Sequence, residues 1–239
     1  MPYLRKAADR GTTQTDWLDS RHSFSFGDYV DPTHRGFGPL RVINEDWIVP
    51  DTGFGLHPHH DMEIVTVMLA GQVRHVDSLG NEALITAGEI QRMSAGTGIR
   101  HSEWNPSPTE TAHLLQIWIR TDEKGVEPSY AQQPIDASQH GWTALVSPMG
   151  GSGPITIHQQ AWLWQGFLLA DTPIPEAPEF KAGHGVWLQL ISGQLQSNAG
   201  LLEAGDGVGI QPEEWPGFYA QLTPATEVKV LLFALPMDV

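Results

Sequence analysis

Cysteine is absent from the 239 residues. That excludes disulfides, thiolate metal ligands and a cysteine nucleophile, and it fits a cytoplasmic setting. Long apolar runs are missing as well: no stretch approaches the roughly 18 residues that a membrane-spanning helix needs. The first eleven residues are polar and charged, with no small-residue cleavage site, so a secretory signal is not expected. Positive charge is scarce, with 13 Lys and Arg against 28 Asp and Glu and a net charge of -15. Phosphate-rich partners need clustered cations, and no basic run exists here, so direct nucleic-acid binding is set aside. Helical periodicity is the last absence, since no segment keeps a 3.6-residue apolar period beyond about three turns.

Glycine (25) and proline (18) are present throughout and punctuate short runs of Val, Ile, Leu and aromatics. That rhythm predicts an all-β chain. Expected strands are Leu40–Ile43, Glu63–Leu69, Gln72–Asp77, Glu82–Thr86, Ile90–Met93 and His113–Ile119. Ile155–Gln160, Leu163–Leu169, Gly185–Ser192, Gly207–Ile210 and Lys229–Ala234 follow. Ala70-Gly71, Gly80-Asn81 and Ser192-Gly193 carry hairpin signals. A short helix over Glu213–Phe218 is opposed by Pro212 and Pro216.

Two halves echo each other. Val65 to Gly71 and Val186 to Gly193 each end in a glycine turn. Ala87-Gly88-Glu89 and Ala204-Gly205-Asp206, about 117 residues apart, then lead into further strands. The pattern predicts two related β-barrels in tandem, residues 1–135 and 136–239. The polar segment Asp122–Ser138 is the expected linker.

Histidine is over-represented, with 11 in an acidic chain. In Gly53-Phe54-Gly55-Leu56-His57-Pro58-His59, strand alternation puts both imidazoles on one side, and Pro58 stiffens the backbone between them. The same spacing recurs in His101-Ser102-Glu103. Two such pairs on facing strands of a barrel supply three nitrogens and one oxygen. That set suits a divalent transition metal with a coordination position left open for oxygen or substrate. Fe(II), Cu, Ni, Co, Mn and Zn all accept such ligands. His22, His34, His113, His140, His158 and His184 read as structural or exposed. No His-x-His follows residue 120, so one metal per chain, in the first half, is expected. Phe54, Met62, Met93 and Trp104 are candidate apolar walls for a flat ligand, and Gln116 is a further candidate pocket residue.

The blocks Phe24-Ser25-Phe26, His57-Pro58-His59, Ser94 to Glu103 and Leu115-Gln116-Ile117-Trp118 resemble the pirin family. The resemblance is strongest over residues 1–120, and the second half is similar to the bacterial branch described as quercetin 2,3-dioxygenases. It implies a bicupin fold, two tandem jelly-roll-like barrels; with no second His-x-His, the C-terminal one is expected to be metal-free. It also implies a metal, Fe(II) foremost, held by His57, His59, His101 and Glu103. In most metal-binding cupins the carboxylate ligand matches Glu63, whereas in pirins it matches Glu103. Glu63 is then a buried, hydrogen-bonded support. The implied activity is cleavage of an aromatic flavonol by dioxygen, with Glu103 as the base that accepts a hydroxyl proton. The alternative is a redox-dependent regulator that binds a protein partner, for which the acidic surface would favour a basic one.

Overall fold

The computed structural model describes residues 2–136, 138–151 and 153–237; Ala137, inside the expected linker, lies outside the described residues. The first half opens with β1 (Tyr3–Arg5), β2 (Gly11–Gln14), β3 (Leu18–His22) and β4 (Leu40–Ile48). β5 (Thr52–His59), β6 (Met62–Ala70), β7 (Gln72–Asp77) and β8 (Glu82–Thr86) follow. β9 (Glu89–Ser94), β10 (Ile99–Asn105), β11 (Ala112–Arg120) and β12 (Ser129–Pro134) complete it. The second half begins with β13 (Gly141–Pro148), β14 (Ile155–Ile157), β15 (Trp162–Leu168) and β16 (His184–Ser192). β17 (Gln194–Ser197), β18 (Gly200–Glu203) and β19 (Gly207–Ile210) come next. A short helix, α1 (Trp215–Tyr219), precedes β20 (Thr223–Pro224) and β21 (Val228–Pro236).

The all-β, two-barrel architecture is the one the sequence predicts. One seven-stranded sheet has the order β12-β9-β6-β11-β4-β3-β2, and the other β1-β19-β16-β21-β15-β13-β14. Smaller sheets, β5-β10-β7-β8 and β18-β17-β20, complete the two halves. β1 pairs with β19, Tyr3 opposite Gly209, so the first strand hydrogen-bonds into the sheet of the second half.

The long sheets are apolar on both faces, which explains why β6, β11 and β21 read as continuous hydrophobic runs. In the first half, alternate residues Val65, Val67, Leu115 and Ile117 face a shared core. Leu163, Trp187, Leu231 and Phe233 of the second half enter the same core. The intervening residues turn the other way, Ile64 and Met68 into the first barrel and Val230 and Leu232 into the second. Trp164, Trp215 and Phe218 join the packing of the second barrel.

The repeat also holds in the turns. Gly71 and Gly88 have φ of 69° and 83°, and their counterparts Gly193 and Gly205 have 84° and 85°. These left-handed turns suit glycine because it has no Cβ.

Three local expectations change. Part of the expected linker is strand: β12 pairs with β9, Tyr130 opposite Met93. β14 stops at Ile157, where Asp122 N–H donates to the His158 carbonyl instead of to a sheet partner. The helix starts at Trp215, with Pro216 in its first turn, where a missing N–H costs nothing. Among the described residues no helix is long and apolar enough to cross a membrane.

Candidate metal centre

β5 and β10 are antiparallel neighbours, with His101 opposite His57, Ile99 opposite His59 and Glu103 opposite Phe54. The two pairs therefore sit side by side on one sheet and do not face each other across the barrel. A register shift between His101 and Glu103 gives β5 one extra residue, a bulge at Gly55-Leu56. Phe54 and His57, three apart, would point to opposite faces of a regular strand; the bulge lets both line the interior. Gly53 permits the close approach of the strands, since a Cβ there would lie 2.2 Å from the Glu103 carbonyl oxygen.

The His57, His59 and His101 donor atoms lie within 4.8 Å of one another. The His57 ring is 4.4 Å from His101 and 4.8 Å from His59. Each ring is set for ligation by its surroundings. His57 Nδ1–H donates to the Gly55 carbonyl at 2.7 Å, which leaves its Nε2 lone pair free. His101 Nε2 is buried and has no hydrogen-bond partner among the described residues. Burial first, then the neighbouring imidazoles, pushes His101 down to about 3 and His59 down to about 4. Both rings are thus neutral donors at physiological pH.

Glu103 is 3% exposed, and Gln116 Nε2 donates to both its oxygens at 3.1 and 2.9 Å. Thr66 Oγ1 donates to Gln116 Oε1 at 3.1 Å and fixes the amide. No Lys or Arg pairs with Glu103 among the described residues. The converging donor set is the three histidines; Glu103 lines the same cavity but lies outside that cluster of donor atoms within 4.8 Å of one another.

These side chains open on a cavity of about 330 Å³. His57, His59, His101, Glu103, Phe54 and Gln116 all line it. Glu63, Met62, Met93 and Trp104 do not, although they neighbour the motifs in sequence. Alternation turns Trp104 away from Glu103 to the outer surface, where it is 41% exposed. Met93 packs with Ile64, Ala95 and Ile99, and Met62 lies against that cluster. Glu63, fully buried, accepts from Ser94 Oγ at 2.7 Å and from the His158 backbone N–H at 3.3 Å. It therefore supports the seam between the halves.

Two groups escape sequence reasoning. His75 Nδ1 lies 3.4 Å from His101 Nδ1, and Asp77 Oδ2 accepts from His75 Nε2 at 3.0 Å. Their i, i+2 spacing on β7 is the same signal that marks the ligand pairs. Ser20, His22, Asn44 and Asp46, from β3 and β4, line the same cavity, with Asn44 directly across the sheet from Gln116. His22 is buried there and hydrogen-bonded to Asn44 and Thr13. Burial first, opposed by the Ser20 bond and aided by the charges of Glu103 and Glu45, pushes Asp46 up to about 7.

A profile described as Pirin matches residues 4–119, and one described as Quercetinase C-terminal cupin domain matches residues 144–235. The quercetin 2,3-dioxygenase of Escherichia coli K12 is 46% identical over 236 residues, covering 99% of both chains. The chain belongs to the pirin family. Among solved pirin structures, E. coli YhhW in complex with nickel(II) superposes with a TM-score of 0.89 at 44% identity, over 99% of each chain. A quercetin 2,3-dioxygenase from Acinetobacter baumannii, 20% identical with a TM-score of 0.76 over 100% of this chain and 86% of that one, shares the fold. The nickel complex of a close pirin relative and the converging imidazoles here both point to a divalent metal site.

Proposed function

We propose that this pirin is a metal-dependent dioxygenase that opens the heterocyclic ring of flavonols, as a quercetin 2,3-dioxygenase does. The observation that carries this reading is the convergence of three imidazoles in an aromatic-walled cavity that a buried carboxylate, Glu103, also lines. The relatives named for quercetin cleavage support it. His57, His59, His101 and Glu103 would hold one divalent ion, Fe(II) preferred, with Cu, Ni, Co, Mn or Zn as alternatives. When bound, such an ion supplies Lewis acidity and an open position for substrate oxygen.

The chain's own residues do the rest. The bulge and the His57–Gly55 bond fix imidazole direction. Gln116 holds the Glu103 carboxylate facing the cavity, where it can take the proton of a substrate hydroxyl. Phe26, Phe54 and Trp118 offer apolar faces to a flat ring system and exclude water.

The test is oxygen uptake with carbon monoxide release when metal-loaded protein meets quercetin. Glu103→Gln should cut kcat by about a hundredfold or more, while retaining more of its metal than of its activity. Metal-replete wild-type protein that consumes no oxygen with any flavonol overturns the proposal.

A further inference from the structure

The cavity has a second polar wall that the metal centre does not use. On β3 and β4, Asn44 stands opposite His22 and Asp46 opposite Ser20, and none of the four is more than 3% exposed. Burying polar groups costs free energy unless they are paired, so simple barrel filling would favour apolar side chains here. Leu18 and Ile48, on the same two strands, show that alternative.

The wall is only half satisfied by the protein. His22 bridges Asn44 Oδ1 through Nδ1 and Thr13 Oγ1 through Nε2, each at 2.8 Å. Ser20 Oγ donates to Asp46 Oδ1. Asn44 Nδ2 and Asp46 Oδ2 take no hydrogen-bond partner among the described residues, and neither is sealed from the cavity that both residues line. An amide donor beside a carboxyl oxygen complements a hydroxyl group, which both accepts and donates.

Two aromatic rings connect this wall to the metal centre. Phe26 lies 5.2 Å from the His22 ring and 5.4 Å from Trp118, whose ring is 4.9 Å from His59. A flat ligand lying along those faces would reach both the imidazoles and the wall of Asn44 and Asp46.

We propose that Asn44 and Asp46, with Ser20 orienting the carboxyl, bind a ring hydroxyl of the substrate other than the one at the metal, and so select polyhydroxylated aromatic substrates. The inference rests on the flavonol reading above and adds a specificity determinant to it. Neither residue performs chemistry; both set which ring enters and how it lies.

Binding measured without oxygen separates this role from turnover. Nickel-loaded wild type is titrated with quercetin and with 3-hydroxyflavone, which lacks the other ring hydroxyls, following tryptophan fluorescence. Wild type should bind quercetin about tenfold tighter, because unpaired polar groups penalise the bare ring. Asn44→Ala and Asp46→Ala should cut that preference to about twofold or less, with 3-hydroxyflavone affinity and nickel content unchanged. Ser20→Ala, which leaves both groups in place and removes only the orienting bond, gives the same direction should the carboxyl variant not fold. Undiminished preference in the variants, or loss of nickel along with it, overturns the hydroxyl site alone. Binding of neither ligand to the wild type defeats the flavonol reading and the site with it.

Discussion

At the scale of single residues, the metal ligands are legible because strand alternation is strictly local. His57-Pro58-His59 and His101-Ser102-Glu103 announce shared faces without any knowledge of the fold. The same rule turns Trp104, next to Glu103, outward, against its reading as a cavity wall. What is not legible is anything set by register. Ser20 meets Asp46, and His22 meets Asn44, only because β3 and β4 pair at that offset. His101→Ala removes a buried donor with no other partner and should abolish stoichiometric metal while the chain stays folded. Elemental analysis alongside circular dichroism checks this, and full occupancy in the variant contradicts the assignment.

Asp46 carries a second prediction at this scale. Its folded value of about 7 stands above the ordinary 3.8 of an unfolded aspartate. The native state therefore holds the proton more tightly. Stability from this group is complete below about pH 4 and is lost as pH rises through 7, by ~4 kcal/mol. Asp46→Asn keeps an oxygen for Ser20 and has no charge to bury. Melting curves of metal-free wild type and variant should therefore diverge in the variant's favour between pH 4 and 8. A constant difference in Tm across that range contradicts the assignment of a buried, protonated Asp46.

At the scale of elements, β5 is the part that converts a sheet edge into a site. Its identity as a strand is readable from alternation, but its bulge is not, because an extra residue appears only against a partner. Gly53 and Gly55 are the trace it leaves in the sequence. Gly53 packs against the backbone of β10, where a Cβ would meet the Glu103 carbonyl and the Trp104 Cα at 2.6 Å. Gly53→Ala must push β5 away from β10 and spread His57 from His101. We expect about 1–3 kcal/mol of destabilisation. Nickel affinity, read by isothermal titration, should fall by more than a surface Gly→Ala change such as Gly217→Ala, whose Cβ meets nothing. Unchanged nickel affinity in Gly53→Ala contradicts the link between strand spacing and the site.

At the scale of the whole molecule, tandem halves are legible from the repeated glycine turns, while their mutual dependence is not. Apolar runs show that β6, β11, β16 and β21 are buried on both faces, yet they do not say against what. In the structure those outer faces pack on each other in one core that draws residues from both halves. β1 ties the N-terminus into the second sheet. Trp187 of β16 is fully buried and has its ring 5.5 Å from Tyr3, 4.9 Å from Phe24 and 5.8 Å from Phe37, all of the first half. An isolated second barrel would leave that ring without those partners. Trp187→Ala should cost about 3–5 kcal/mol, mostly from the cavity left where the indole packed. The loss should be felt by the distant metal centre, because binding to the native state alone raises the stability of whatever unfolds with it. In nickel-loaded protein, ion release and the loss of β-sheet signal should coincide in a single transition, displaced to lower temperature in the variant. Separate transitions, with nickel retained after the second half has melted, would show that the shared core does not couple the halves.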